Sequence, residues 1–402
     1  MKKISFLGDI MCEKPFLKAA IKRNNDFYSA FASLQDLLSE SDFVVGNLET
    51  PIAGKELGYT KDLYAFNTPS EFLDGLKKLK IDLYITANNH CLDRGIKGLE
   101  NTLEELDKRG MPHTGTARSK EEQQNIFTCQ LDDICCAFLS YNAYINEDKW
   151  FKFKSEFNKY NVNGLINIDM LVRYRETHRT KAIPFYTIRK AIGSLLPKNF
   201  DIYVKGKLGY KFSPYVDNEP LSEIEGDYLG DVKSMINLAR QKADIVFMLP
   251  HCGGQFNVAP GIRSKELFQK LLEFDIDALI ASHPHVIQCV KSVNGKPCAY
   301  SLGNVSMSMS SPYLVREALP QYGMIFHTYI EDKKIVKTSF SFIKIVEEKD
   351  NYPIVFPVDE LYKKCDGRKR DLLEKELAQL YSRVTGEDAF PGVKREYEFL
   401  TI

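Results

Sequence analysis

Short apolar runs rich in β-branched residues alternate with amphipathic stretches of helix length over most of this chain. This alternation is typical of strands that are buried on both faces by covering helices, and it predicts an α/β fold. The runs that predict strands lie at residues 4–7, 43–45, 81–86, 134–139, 245–249, 278–281, 286–293 and 299–302. Asn294-Gly295 predicts a hairpin turn between the last two runs.

Several helix boundaries can also be predicted. The sequence Thr68-Pro69-Ser70-Glu71 predicts a helix start, with Thr68 as the capping hydroxyl and the proline in the first turn. Further helices are predicted over residues 96–108, ending at Gly110, and over residues 231–242. Near the C-terminus, leucine and valine recur at helical spacing and predict one apolar helix face. These residues are Leu373, Leu377, Leu380 and Val384.

Composition restricts the class of protein. The 402 residues are 44% hydrophobic and 27% charged, with 54 basic and 54 acidic side chains. These values are typical of a globular protein, and they argue against a disordered or membrane-embedded chain or one with a wholly basic nucleic-acid-binding face. The apolar run after Met1-Lys2-Lys3 is too short for a signal peptide. Nine cysteines without a Cys-x-x-Cys pair favour free thiols, so we predict a cytoplasmic location.

One segment departs from this balance. Between residues 149 and 211 there are fourteen basic residues and four acidic ones, interspersed with aromatic residues. We therefore predict a core of residues 1–145 and 221–345, a basic insertion or cap at 146–220, and a C-terminal extension at 346–402 with the amphipathic helix. The basic residues form either a solvated face or a surface that attracts a polyanion, and Arg173, Arg175 and Arg179 are candidate substrate-binding residues. No nucleic-acid-binding module accompanies them.

Polar residues follow the predicted strands directly. They are Asp9, Asn47, Glu49, Asn88, Asn89, His90, His251, His283, His285 and Asn304. Because the carboxyl ends of the strands in an α/β sheet open on one crevice, these segments can converge. Taken singly, Asp9 is also explained as a turn residue and His90 as a surface histidine. Together, carboxylate, amide and imidazole groups favour one or two ions of Mn, Fe or Zn, with Mg or Ca less favoured.

Six ordered motifs resemble one known family. They are Gly8-Asp9-Ile10-Met11, Gly46-Asn47-Leu48-Glu49-Thr50-Pro51, Ala87-Asn88-Asn89-His90-Cys91-Leu92-Asp93, His251-Cys252-Gly253, His283-Pro284-His285-Val286 and Ser301-Leu302-Gly303-Asn304. They look like the CapA-type, poly-γ-glutamate capsule-synthesis family, whose fold is similar to that of calcineurin-like metallophosphoesterases. The resemblance spans roughly residues 1 to 310 outside the basic insertion, and it implies a four-layer α/β/β/α sandwich.

The resemblance also implies roles for individual residues. The implied metal ligands are Asp9, Glu49, Asn89, His251, His283 and His285. Glu49 would bridge two ions, and Asn47, Asn88 and Asn304 would surround the ligands. His90 would protonate the leaving group, Asp93 would orient His90, and a metal-bound hydroxide would be the nucleophile.

The sequence departs from the phosphoesterase pattern at Met11 and from the CapA pattern at three further positions. Met11 stands where similar phosphoesterases have a histidine, and a thioether is a poor ligand for a hard ion. Cys252, Gln255 and Ser282 replace the usual tryptophan, glutamate and glycine. We therefore leave the substrate preference open.

The resulting hypothesis is a metal-dependent hydrolase of poly-γ-glutamate or capsule polymer metabolism. Alternatives are a phosphoesterase acting on a phosphorylated metabolite or glycan precursor, a peptide epimerase, and a non-catalytic scaffold that binds polymer. The expected partner is an anionic polymer or a small phosphorylated or carboxylated substrate, with no specific nucleic acid. No transmembrane segment is predicted, and docking to a membrane-bound capsule-synthesis complex is a further expectation.

Overall fold

Two β-sheets pack face to face in this computed structural model, and helices cover the outer face of each sheet. The structure describes residues 1–61, 63–143, 156, 158, 160–165, 215–218, 220–221 and 223–401. The predicted α/β class is confirmed, and the layers follow the order helix, sheet, sheet, helix.

The strands of the described part of the chain fall into two sheets. In chain order they are β1 (Lys2–Ile10), β2 (Phe43–Leu48), β3 (Leu83–Ile85), β4 (His113–Thr114), β5 (Phe127–Leu131), β6 (Ile134–Asn142), β7 (Ile245–His251), β8 (Ala278–Ile280), β9 (Val290–Val293), β10 (Lys296–Ala299), β11 (Asn304–Ser306), β12 (Tyr322–Glu331), β13 (Lys334–Glu347), β14 (Pro353–Pro357) and β15 (Tyr397–Thr401). The first sheet has the order β14-β13-β12-β1-β2-β3-β4, with β11 paired to β1 and β15 to β13. The second has the order β5-β6-β7-β8-β10-β9.

The helices among the described residues lie mainly between successive strands. They are α1 (Lys14–Lys22), α2 (Gln35–Ser39), α3 (Glu71–Lys77), α4 (Gly95–Lys108), α5 (Lys120–Gln124), α6 (Glu223–Lys242), α7 (Ile262–Leu272), α8 (Val358–Lys364) and α9 (Gly367–Thr385). Short 3-10 turns occur at Tyr28–Ala30, Ala32–Leu34, Lys55–Leu57, Tyr215–Asn218 and Arg316–Ala318.

The middle of each sheet is parallel, which explains the near-continuous apolar runs. Strands β1 to β4 are parallel neighbours, as are β6, β7, β8 and β10. Side chains alternate between two buried faces: Phe6 enters the core between the sheets, whereas Leu7 packs on the helix side. Because both faces are covered, the carboxyl ends of the parallel strands are the natural place for a site.

Aromatic rings fill the core between the sheets. Phe6 of the first sheet lies 5.0 Å, between ring centroids, from Phe247 of the second, and Phe138 stacks on Phe247 at 5.3 Å. All three side chains are buried. Burial of each such ring contributes about 1.5–3 kcal/mol to stability, so this layer holds the two sheets in a fixed relation.

The predicted apolar face near the C-terminus is confirmed. The structure places all four of its residues on α9 and buries them in the core between the sheets. After α9 the chain returns to the first sheet as β15, which pairs antiparallel with β13. The division into a core, an insertion and a C-terminal extension stays a prediction, because most of residues 146–220 lie outside the described part of the chain.

Two local predictions have different outcomes. The Asn294-Gly295 turn is confirmed: it joins β9 to β10, and both residues have positive φ, 54° and 76°. The capping role of Thr68 is wrong. Helix α3 begins at Glu71 after Ser70, whose side chain makes no capping hydrogen bond, and the Thr68 hydroxyl instead contacts the Thr50 hydroxyl at 2.7 Å.

Candidate metal centre

The strand ends bring the predicted polar residues together in one buried cluster. Asp9 lies near the end of β1, Glu49 just after β2, and His251 at the end of β7. The loop after β8 carries His283 and His285. None of the eleven predicted catalytic, ligand and surrounding residues is more than 5% exposed. These are Asp9, Asn47, Glu49, Asn88, Asn89, His90, Asp93, His251, His283, His285 and Asn304.

Glu49 lies at the middle of this cluster. Its Oε1 is 3.4 Å from His251 Nε2, 3.7 Å from His285 Nε2 and 3.9 Å from His90 Nε2. Two groups of three potential ligand residues share this carboxylate, and within each group the ligand atoms lie within 4.8 Å of one another. One group is Glu49, His251 and His283, and the other is Asp9, Glu49 and His285. Glu49 is therefore common to both potential ligand groups.

The Glu49 carboxylate also shows that the residues fit divalent ions. Both of its oxygens are buried, and neither accepts a hydrogen bond from any residue that the structure describes. Burial raises the pKa of Glu49 well above its usual value, and the nearby Asp9 carboxylate raises it further. A buried carboxylate without donors is destabilising unless a cation compensates it. This is the chemistry expected of a bridging ligand.

Asp9 has a different environment from Glu49. Its Oδ2 lies 3.0 Å from His285 Nδ1 and its Oδ1 accepts a 2.8 Å hydrogen bond from Asn47. Burial acts to raise the pKa of Asp9, but the contacts with His285, His251 and Asn47 outweigh burial and hold the pKa below its usual range. Asp9 is therefore the carboxylate that keeps its negative charge.

The imidazole rings of His251 and His283 lie close to each other and to Asn89. His251 Nε2 is 2.8 Å from Asn89 Oδ1 and 3.1 Å from His283 Nδ1. Burial lowers the pKa of His251 to about 3 and also lowers that of His283. Both rings are therefore neutral near pH 7, and a neutral imidazole is the form that binds a metal ion.

The backbone here is held in uncommon conformations. His283 and His285, on either side of Pro284, have φ values of 106° and 56°. Non-glycine residues with positive φ are uncommon, and they persist where surrounding contacts impose them. Gly8 is required for a related reason, because a Cβ at this position would lie 2.0 Å from the Gly303 carbonyl oxygen. The same close approach lets the Asp9 amide donate to that oxygen at 3.0 Å.

His90 and Asp93 form a pair beside the ligands. His90 Nδ1 lies 2.7 Å from Asp93 Oδ2, which also accepts the Phe66 amide at 2.6 Å. The Phe66 ring packs 4.3 Å from the His90 ring. These contacts fix the ring so that Nε2 faces Glu49.

Three asparagines support the ligands. Asn88 donates to the Leu48 carbonyl at 2.8 Å and ties the loop after β3 to β2. Asn304 donates to the His285 carbonyl at 2.8 Å, and its Oδ1 lies 3.1 Å from His285 Nδ1. Asn47 contacts Asp9 as described above.

Other predicted residues lie away from the cluster. Met11 is buried in the core on the helix side of the first sheet. Cys252 is also buried, and burial raises the pKa of its thiol well above the usual value. Burial likewise raises the pKa of Cys12, next to Met11, and it raises that of Cys91 to about 12. The three candidate substrate-binding residues Arg173, Arg175 and Arg179 lie outside the described residues.

Sequence reasoning missed the contacts of two buried residues near the cluster. The Ser282 hydroxyl lies 3.0 Å from His251 Nδ1. Glu13 accepts hydrogen bonds from the hydroxyls of Ser311 and Tyr313. The replacement of glycine by serine at position 282 was a signal for the first of these, whereas Glu13 follows the Gly-Asp motif without any pattern that distinguishes it.

Comparison with known proteins identifies a family match over most of the chain. Residues 3–308 match the family described as bacterial capsule synthesis protein PGA_cap. This chain belongs to the PGA_cap family. The predicted resemblance to CapA-type proteins is thereby confirmed, and the match includes every residue of the cluster.

Individual PGA_cap relatives are distant in sequence. The PGA biosynthesis protein CapA of Bacillus subtilis (strain 168) is 22% identical over 320 residues, which cover 79% of this chain and 66% of the relative. The capsule biosynthesis protein CapA of Bacillus anthracis is 22% identical over 322 residues, covering 79% and 63%. The chain thus spans slightly under two thirds of the length of these relatives.

One solved structure shows a weak overall likeness. The crystal structure of TT1561 of Thermus thermophilus aligns with a TM-score of 0.34 and 7% identity, over 81% of this chain and 93% of that one. Among the described residues, no helix has the length and apolar character needed to cross a membrane.

Proposed function

We propose that this PGA_cap protein is a metal-dependent hydrolase of capsule polymer metabolism, with poly-γ-glutamate or a related anionic polymer as substrate. The observation that carries the proposal is the pair of ligand groups that share Glu49, a buried carboxylate without hydrogen-bond donors in the described structure. The donor set favours Mn, Fe or Zn over Mg or Ca, because imidazole nitrogens join the carboxylates. A cytoplasmic location remains part of the proposal on sequence grounds.

The ligand residues would hold the ions, and other residues would handle protons. Divalent ions bound here would lower the pKa of water towards about 7 and polarise the scissile carbonyl. As a water oxygen adds to the carbonyl carbon and the C–N bond then breaks, His90 would transfer a proton from Nε2 to the nitrogen of the leaving group. Asp93 supports this role, because its contact with His90 Nδ1 at 2.7 Å orients the ring and stabilises it when charged.

Two features support a polymeric anion as substrate. The names of the two CapA relatives connect them with capsule or PGA biosynthesis. The segment 149–211 of this chain also carries an excess of ten positive charges within a chain of zero formal net charge. Such a segment raises the local concentration of anionic ligands.

The first test is metal content, measured by mass spectrometry after purification with added Mn. We expect one or two equivalents per chain in the wild type and less in His283→Ala. His113→Ala is the matched control, because His113 pairs with Asp107 outside the cluster. Absence of bound metal in the wild type would overturn the proposal.

The second test is turnover. With Mn present, wild type and His113→Ala should shorten poly-γ-glutamate, and Asp93→Asn should do so about 10²–10⁴-fold more slowly, the range typical of general acid–base catalysis. An aryl phosphate, assayed in parallel, distinguishes the phosphoesterase alternative. Metal binding combined with hydrolysis of the phosphate alone would replace the polymer substrate with a phosphoester.

A further inference from the structure

The two ring nitrogens of His251 have different neighbours. Nε2 faces the cluster, with Asn89 Oδ1 at 2.8 Å, His283 Nδ1 at 3.1 Å and Glu49 Oε1 at 3.4 Å. Nδ1 faces away from those groups, towards Ser282 Oγ at 3.0 Å and Asn47 Nδ2 at 3.2 Å. Since Glu49 and His283 belong to one potential ligand group with His251, Nε2 is the nitrogen placed to bind an ion.

This geometry sets a requirement on the opposite nitrogen. A neutral imidazole has one nitrogen with a lone pair and one that carries hydrogen. If the lone pair of Nε2 binds an ion, Nδ1 carries the hydrogen and needs an acceptor. In metal sites the group that accepts this hydrogen fixes the tautomer and the orientation of the ring.

Asn47 does not meet that requirement. Its Nδ2 donates to the Asp9 carboxylate at 2.8 Å and its Oδ1 accepts from Asn88, so the amide nitrogen is the atom that faces His251. An amide nitrogen donates hydrogen bonds and does not accept them. The Asp9 carboxylate oxygen lies 4.0 Å from Nδ1, beyond hydrogen-bonding distance.

The Ser282 hydroxyl meets the requirement, and the backbone fixes its place. Cys252 donates to the Ser282 carbonyl at 3.0 Å and Ser282 donates to the Pro250 carbonyl at 3.1 Å, so the two segments lie side by side. Ser282 is 4% exposed, and its hydroxyl also receives a 3.3 Å contact from Asn47. A hydroxyl can accept from Nδ1 in the metal-bound form and donate to Nδ1 otherwise.

We infer that Ser282 is a positioning residue for the metal centre, because its hydroxyl oxygen accepts the Nδ1 hydrogen of His251 and so directs the Nε2 lone pair towards the ion. The inference rests on the proposed metal-binding function. For His285, two acceptors face Nδ1: Asp9 Oδ2 at 3.0 Å and Asn304 Oδ1 at 3.1 Å. The two rings thus have acceptors from different segments of the chain.

The test compares four proteins: wild type, Ser282→Ala, Ser282→Thr and Ser341→Ala. Ser341 is the matched control, because its hydroxyl lies 3.1 Å from Nε2 of the buried His327 outside the metal centre. Zinc affinity is measured by competition with a chromogenic chelator, with folding checked by circular dichroism. Nitrogen-15 NMR of the histidine rings in the zinc form reports the tautomer of His251.

We expect Ser282→Ala to bind zinc about 10- to 100-fold more weakly, the usual effect of removing a partner of a ligating histidine. Ser282→Thr should retain wild-type affinity and the Nδ1–H tautomer, and Ser341→Ala should bind like the wild type. If the alanine variant does not fold, Ser282→Cys tests the same point with a weaker acceptor of similar size.

The possible results distinguish failure of the inferred role of Ser282 from failure of the proposed function. Wild-type zinc binding with unchanged affinity in Ser282→Ala overturns the role of Ser282 and leaves the proposed function standing. Equal loss in the alanine and threonine variants also overturns it, because the hydroxyl would then not be the cause. Absence of zinc binding by the wild type overturns the proposed function, and the inference with it.

Discussion

Two buried glutamates near the strand ends differ in their hydrogen bonding. Glu13 and Glu49 are 2% and 0% exposed. The Glu13 carboxylate accepts hydrogen bonds from Ser311 Oγ at 2.8 Å and from the Tyr313 hydroxyl. The Glu49 carboxylate accepts none from the described residues. The substitution of glutamate by glutamine should therefore have opposite effects on stability at the two positions.

Glu49→Gln should stabilise the metal-free protein. The change replaces a buried carboxyl, whose negative charge no described donor compensates, with an uncharged amide, and an uncompensated buried group destabilises by about 1–3 kcal/mol. The free energy of unfolding should therefore rise by about that amount in the presence of a chelator. With Mn at about one hundred times its dissociation constant, the wild type should gain about 2.7 kcal/mol. Glu49→Gln should lose most of this gain, because it lacks the shared ligand.

Glu13→Gln is the control. Its amide nitrogen would face a hydroxyl or amide donor, so the free energy of unfolding should fall by about 1–3 kcal/mol with or without metal. The assay is urea unfolding followed by circular dichroism, in chelator and in Mn. A Glu49→Gln protein that is less stable than wild type in chelator would refute the argument, since Glu49 would then have stabilising contacts of its own.

Three further predictions concern parts of the fold away from the ligands. Asp217→Ala should lower the free energy of unfolding by at least about 1–2 kcal/mol in urea titrations, because Asp217 caps α7 by accepting the Ser264 amide at 3.1 Å and also accepts the Ser264 hydroxyl at 2.6 Å. Leu377→Ala should lower the same quantity by about 2–5 kcal/mol, because Leu377 is fully buried between the sheets. For Glu396, burial acts to raise the pKa, but the nearby His327 and then Lys3, whose Nζ lies 2.8 Å from the carboxylate, lower it from 4.5 to about 2. Stabilisation by this carboxylate is thus present above pH 4.5 and lost as pH falls towards 2, and unfolding of Glu396→Gln should show a weaker pH dependence over this range.

The parallel parts of both sheets were predictable because the signal is local. A strand buried on both faces reads as a continuous apolar run, as in β1 and β7. Polar residues that follow such runs stand out, and for that reason the cluster around Glu49 was visible in the sequence. Some predicted strands ended up to three residues too early, as at Ile10 and Leu48, because β1 and β2 continue through Asp9 and Asn47 of the cluster. The strands predicted at 81–86 and 286–293 were instead too long.

The antiparallel strands β12, β13 and β14 were missed. In β13, Phe340 and Phe342 alternate with Ser339 and Ser341, a period of two that is typical of a strand. The serines are nevertheless fully buried, and Ser341 contacts His327. The pattern therefore indicated a strand, but it did not indicate that both faces are covered.

Contacts between distant segments could not be predicted from local patterns. Asp217 caps a helix whose first residue is Ile262, and its backbone packs against Gly261, where a Cβ would lie 2.1 Å from the Asp217 carbonyl oxygen. Thr68 has the sequence signature of a cap, but its hydroxyl contacts Thr50 instead. In each case a tertiary contact determines a role that the local sequence leaves open.

The metal centre combines several features that are unfavourable in the protein alone. Glu49 is buried without donors among the described residues, and His283 and His285 have positive φ. Residues in such conformations cost about 1–3 kcal/mol each and persist only where the surrounding structure imposes them. Here the surroundings are the ends of parallel strands from two sheets that a shared aromatic core holds together. The fold therefore supplies the stability that lets carboxylates and neutral imidazoles stay close together, and bound cations would recover part of that energy.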